Sequence, residues 1–343
     1  MRESLHRVPR VGAWAAKRLA HHAGLLALAR MTRRRERAIV MRYHAVTDGP
    51  GVVYAAPDIC ISVAALRLQM AFLRRAYCVV ALEDLVAGLH HERPLPPGAV
   101  AVTFDDGYAD NYHLAFPVLR DLGIPATVYV VTGAVDGAAP FWVAAVRTLV
   151  DRASGPVAVP GHAAPMPAGS PEERAQAAKA LTRALVTVPS AERRARLEAV
   201  AMVAGVDLDA ALAGTMMSWQ QLRELAAGGW TIGAHTVTHG NVTRQPAAEA
   251  EAEMMGSREA IEANVGAPAL HFCYPNTGGQ LPSHDEATAG MLRRLGFRSG
   301  TTSQPGPVRF GVDPYRIPRL GVTPRLSPVA DLAAALERQR LAA

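Results

Sequence analysis

The chain has 343 residues, half of them hydrophobic and 19% charged, with a formal net charge of +6. That length can bury a large core in one big α/β domain or two smaller ones, and the composition excludes disorder as the main state. Cys60, Cys78 and Cys273 lie far apart with no C-x-x-C pair, which excludes a disulfide framework and a thiolate zinc site of ordinary spacing and reads as buried small hydrophobes.

Residues 1–42 hold 11 Lys or Arg against Glu3 and Glu36, whereas residues 43–343 carry 25 basic against 28 acidic side chains. The body of the protein is therefore not a nucleic-acid binder. Residues 1–36 read as a basic arm with a short helix in "VGAWAAKRLAHHAGLLALARMTRRRER". Lys17, Arg18, His21 and His22 interrupt its apolar stretch too often for a spanning helix or a secretory signal. Two readings stay open: peripheral contact with an anionic membrane surface, or a helix packed on the domain with a solvated basic tail. With no cleavable signal in view, the expected compartment is the cytoplasm, or the inner membrane face if the arm binds it.

From residue 37 onward, short apolar runs alternate with helical patterns. Strands are expected at "AIVMRY" (38–43), "AVAVTF" (99–104), "ATVYVV" (126–131), "WTIGA" (230–234) and "LHFCY" (270–274). Helices are expected in "ISVAALRLQMAFLRRA" behind a Ser62 cap, in "YADNYHLAFPVLRDLG", in "SWQQLRELAAGG" behind Ser218, in "PAAEAEAEMMGSREAIEANVG" and in "SPVADLAAALERQRLA". Strand followed by helix in this order implies a mainly parallel sheet, open or closed, with functional groups at the strands' carboxyl ends. Residues 132–217 break the pattern: Ala, Pro and Gly first, then Ala/Arg-rich helices. They read as a helical insertion, either a lid or rim over one face or a decoration without function.

Two segments carry the chemistry. Asp105 and Asp106 end a strand and precede Gly107, where two like charges need a cation, a proton or water to offset them. Successive strand side chains point to opposite faces, but a turn at Gly107 can bring both carboxylates to one mouth. His235 and His239 follow another strand, four residues apart, in a segment too rich in Thr, Val and Gly for a comfortable helix. One Asp and two His make a three-ligand metal site with an open position, and the second Asp stands beside it as a base.

In this order and spacing, "TFDDGYADNY", "HTVTH" and "FCYPNTGG" resemble the first three motifs of the polysaccharide deacetylase family, carbohydrate esterase family four. The resemblance runs from about residue 38 to about 320, with 132–217 a poor match. It implies a distorted parallel (β/α) barrel over residues 37–343 that removes N-acetyl groups from hexosamine units with a divalent metal. By motif position, Asp105 would be the base, and Asp106, His235 and His239 the metal ligands. A backbone N–H near Tyr274 would stabilise the oxyanion, and Pro275 would shape the loop. Zinc is the expected metal, with cobalt, nickel and iron also suited to such ligands.

Two family features are missing: an Arg in the third motif and a late Leu-x-His. "MRYHAV" resembles the Tyr-His segment of permuted exopolysaccharide deacetylases, which makes His44 the expected general acid. "YRIPRLGV" offers Arg319, or Arg316, to hold Asp105 ionised. Phe141 and Trp142 could offer a flat face to a sugar ring. The expected substrate is an N-acetylated glycan or glycolipid. The rival readings are an O-acetyl esterase or small-amide hydrolase on the same scaffold, and an inactive glycan-binding assembly factor.

Overall fold

The computed structural model describes residues 37–49, 51–275, 282–309 and 311–341. The N-terminal arm, with its membrane reading, and the end of "FCYPNTGG" lie outside the described residues. Eleven strands occur among those described: β1 (Arg37–Tyr43), β2 (Ala45–Thr47), β3 (Cys60–Ser62), β4 (Cys78–Val79), β5 (Ala99–Phe104), β6 (Thr127–Val130), β7 (Thr231–Ala234), β8 (His271–Cys273), β9 (Ser299–Thr301), β10 (Val308–Arg309) and β11 (Leu320–Gly321). The helices are α1 (Val63–Ala76), α2 (Leu82–Leu89), α3 (Phe116–Asp121), α4 (Trp142–Arg152), α5 (Pro171–Leu185), α6 (Ser190–Ala204), α7 (Leu208–Leu212), α8 (Trp219–Ala227), α9 (Ala247–Val265), α10 (Glu286–Arg294) and α11 (Val329–Leu341).

The main sheet runs β10-β1-β5-β6-β7-β8-β9, all parallel except β10. The segment 317–321 spans the seam between its ends. Ile317 bridges Thr301, and Leu320 of β11 pairs in parallel with Met41 of β1. The sheet therefore curls into the expected distorted barrel. Ser62 caps α1 by accepting from the Ala65 N–H, a contact that stabilises a helix by about 1 kcal/mol. The expected single helix over 108–123 instead opens with a wide turn at Asn111–Ala115, where the Phe116 N–H reaches back to Asn111. Pro117, which has no N–H to donate, follows immediately, so α3 starts afresh there.

Strand alternation sorts the barrel. On β1, β5 and β6, residues such as Ile39, Met41, Val100, Val102, Phe104 and Val128 face the helices and share the largest core cluster with Leu66, Met70 and Leu119. The opposite set, Ala38, Val40, Ala99, Ala101 and Tyr129, packs with Cys273 and Ile317. The small side chains of this second face leave space inside the barrel, and Gly233 makes way for Tyr129, whose ring would lie 2.5 Å from a Cβ there.

The insertion holds α4 to α7, which close around their own core of Trp142, Leu149, Leu181, Leu197 and Leu212. No helix among the described residues is long and apolar enough to cross a membrane.

Candidate active site

Asp105 continues the inward parity of Ala101 and Thr103 past the end of β5, so its carboxylate enters the barrel mouth. Asp106 would by alternation point into the helix layer. It does not, because its backbone is left-handed at φ 76° and Gly107 follows at φ 89°. A left-handed non-glycine residue costs about 1–2 kcal/mol, and such strain persists only where the surroundings enforce it. The turn that the sequence places at Gly107 thus begins one residue earlier, and it delivers both carboxylates to one mouth.

The two carboxylates meet different neighbours. Arg319 donates from Nη1 to Asp105 Oδ1 and from Nη2 to Asp105 Oδ2, both at 2.7 Å. Its Nε donates to the Thr302 carbonyl at 2.8 Å, and Nη1 also reaches Thr103 Oγ1 at 3.1 Å. Arg319 has the inward parity of Ile317 in the segment that closes the barrel, and it is 1% exposed. Burial opposes the charge of Asp105, but the guanidinium's field and paired hydrogen bonds outweigh it and hold the carboxyl well below its usual range. Arg316, the other candidate, pairs with Asp313 and Glu286 away from the site.

Asp106 faces imidazoles. His235 Nε2 and His239 Nε2 each lie 3.5 Å from Asp106 Oδ1. His235 Nδ1 donates to the Cys273 carbonyl at 2.7 Å, which fixes the ring with Nε2 toward Asp106; burial opposes its charge, but Cys273 and the Asp106 contact raise its pKa well above the usual imidazole range. The expected loop links the pair, with Thr236 at φ 65° and His239 at φ 54°. Burial and the neighbouring His235 push His239 down to about 3, the neutral state a ligand nitrogen needs. One donor atom from each of Asp106, His235 and His239 lies within 4.8 Å of the others. These three buried groups therefore fit a divalent cation. Asp105, His235 and Cys273 also cluster, but Arg319 Nη2 sits 3.0 Å from the Cys273 sulfur and opposes a second cation there.

His44 follows β1 on the inward parity, and its Nε2 lies 3.8 Å from Asp105 Oδ2. Burial pushes its pKa down to about 4, against the pull of Asp106 and Asp105. Sequence reasoning missed what anchors it. Asn111 donates to the His44 carbonyl at 2.7 Å, and Asp110 Oδ1 accepts from the Val46 N–H at 3.0 Å. Tyr54 donates to Asp110 Oδ2 at 2.8 Å. The "ADN" after the Asp pair was the available signal.

Two expectations need correction. Tyr274 cannot offer its own N–H to an oxyanion, because that group donates to the Thr301 carbonyl at 3.1 Å between β8 and β9. Its hydroxyl donates to Tyr315, and Pro275, buried next in the chain, has no N–H to give. Trp142 is not an open sugar platform: it is 5% exposed, and Arg193 covers its ring at 4.8 Å from the centroid. Its indole N–H donates to the His239 carbonyl at 3.3 Å, so it supports the His235–His239 loop instead. Phe141 is likewise buried, edge-on to His239 at 5.1 Å.

A family model for polysaccharide deacetylases matches residues 92–300. The chain belongs to the polysaccharide deacetylase family. Poly-beta-1,6-N-acetyl-D-glucosamine N-deacetylase of Escherichia coli is 38% identical over 93 residues, which is 27% of this chain and 14% of that protein. The chain spans about half or less of the length of the curated relatives it matches. Among solved structures, the Streptococcus pyogenes deacetylase PplD in complex with acetate is 17% identical, covering 89% of this chain and 99% of its own, with a TM-score of 0.59. IcaB from Ammonifex degensii is 21% identical, covering 88% of this chain and 97% of its own, with a TM-score of 0.55. These two share the deacetylase fold with this chain. The third-motif Arg and late Leu-x-His are absent from this chain, and the barrel mouth holds Arg319 and His44.

Proposed function

We propose that this deacetylase is a metal-dependent hydrolase that removes N-acetyl groups from amino sugars of a polymeric glycan and releases acetate. The observation that carries the reading is the pairing of Asp105, clamped by Arg319, with the adjacent group of Asp106, His235 and His239. Asp106, His235 and His239 would hold the cation, zinc in the first instance, since two imidazoles and a carboxylate suit it as well as cobalt, nickel or iron. When bound, the metal supplies Lewis acidity and positive charge where the acyl oxygen becomes anionic.

The chain's own groups handle the proton. Asp105, kept ionised and oriented by Arg319, accepts a proton from the attacking water. Asp105 passes that proton on to His44, whose Nε2 lies 3.8 Å from Asp105 Oδ2, a gap that has to shorten for direct transfer. His44 then protonates the leaving nitrogen as the C–N bond breaks, giving acetate and a free amine.

The partial match to a poly-beta-1,6-N-acetyl-D-glucosamine N-deacetylase makes β-1,6-linked N-acetylglucosamine oligomers the first substrate to try. Acetate release from these oligomers is expected with zinc-loaded protein, and Asp105→Asn is expected to lower it about 10²- to 10⁴-fold while keeping the metal. Zinc-loaded protein that cleaves only O-acetyl sugars would overturn the N-deacetylase assignment.

A further inference from the structure

His235 and His239 are oriented by different means. His235 has the hydrogen bond that usually fixes a ligand ring, from Nδ1 to the Cys273 carbonyl. Among the described residues nothing hydrogen-bonds to Nδ1 of His239, although that atom is buried. The direction of the His239 ring must therefore come from its backbone and from packing, and its backbone is strained at both ends of the loop, with Thr236 and His239 left-handed.

The carbonyls of the loop identify what holds it. Four consecutive ones, at residues 236 to 239, each accept from a residue between 132 and 217. The Thr132 N–H donates to the Thr236 carbonyl at 3.2 Å, and the Gly133 N–H to that of Val237 at 2.9 Å. Arg193 Nη2 donates to the Thr238 carbonyl at 3.1 Å, and the Trp142 indole to that of His239 at 3.3 Å. Arg193 and Trp142 also stack on each other, and Phe141 lies edge-on to the His239 ring. From the other side, Glu253 of α9 accepts the Val237 and Thr238 N–H groups. Contact at Gly133 is so close that a Cβ there would lie 2.6 Å from the Val237 carbonyl oxygen.

We propose that the 132–217 insertion is a clamp on the metal-ligand loop, with Arg193, Trp142 and Gly133 as positioning residues that set how tightly the metal is retained. This rests on the metal-site reading above. Polar partners behind a ligand typically change metal affinity about 10- to 100-fold when removed.

The test is zinc transfer from the loaded full chain to a chromophoric chelator, with the melting of the metal-free proteins measured alongside. Trp142→Phe keeps an aromatic face but removes the N–H together with part of the ring system, Arg193→Met keeps most of the bulk, and Gly133→Ala pushes on the Val237 carbonyl. Each is expected to lose zinc at least about tenfold faster than the parent, with Gly133→Ala the most affected. Unchanged zinc loss in Trp142→Phe and Arg193→Met, both folded, would overturn the clamp and leave the metal site standing. A parent that takes up no stoichiometric zinc would overturn the metal-site reading and the clamp with it.

Discussion

Asp105 and Asp106 are neighbours in the chain, yet the two sides of the barrel mouth treat them differently. On one side Asp105 meets a permanent cation: the Arg319 guanidinium engages both of its oxygens, and Thr302 and Thr103 position that guanidinium. On the other side Asp106 meets two imidazole nitrogens at 3.5 Å and sits in strained backbone. The first carboxylate has its counter-charge built into the protein, and the second is placed where a counter-charge can be bound. One residue of chain therefore separates a carboxylate held ionised from one that faces two imidazoles, the division that the proposed roles of base and ligand require.

The contrast is broken most severely on the ligand side. Asp106→Asn is expected to remove stoichiometric zinc and all detectable acetate release, as read by metal analysis and an acetate assay. Asp105→Asn is expected to keep the zinc and lower kcat by about 10²- to 10⁴-fold, the usual contribution of a positioned base. Metal loss in this variant would show that the two carboxylates do not divide the roles.

Arg319→Met tests the built-in cation. Removing one partner of a buried pair costs about 3–5 kcal/mol, so the melting temperature is expected to fall well below that of the parent. Because the Asp105 pKa is depressed in the fold, the pair's contribution is present above the ordinary carboxylate range and is lost as pH falls below it. The destabilisation caused by Arg319→Met is therefore expected to shrink in acid.

Asp110 gives the opposite sign. Burial raises it to about 7, despite the donors Val46, Tyr54 and Asn111. Its contribution is full below about pH 4 and is lost as pH rises through 7, by a few kcal/mol at most. Asp110→Asn is expected to gain relative stability between pH 4 and pH 8, and a constant difference between the two proteins across that range would refute the shift.

What the sequence made legible was local or periodic. The carboxylate pair and the two histidines each follow a strand whose apolar run is visible, so their convergence at the strands' carboxyl ends could be read without the fold. Arg319 could be placed on a strand, but its pairing with Asp105 depends on closure of the barrel by 317–321, which alternation alone cannot show. The oxyanion N–H expected near Tyr274 is not Tyr274's own, because that group is taken by β9, a strand of three residues, too short to register as a pattern. Trp142 failed for a related reason. An aromatic side chain in the first turn of a helix looks the same whether its face is open or, as here, covered by Arg193 from a helix about fifty residues later.

The most direct test of the account is acetate release from β-1,6-linked N-acetylglucosamine oligomers by one preparation in three states: as purified, after chelation, and after restoring one equivalent of zinc. Activity is expected to disappear with the chelator and return with zinc in the parent, and never to return in Asp106→Asn. Full activity in the chelated, metal-free protein would contradict the account.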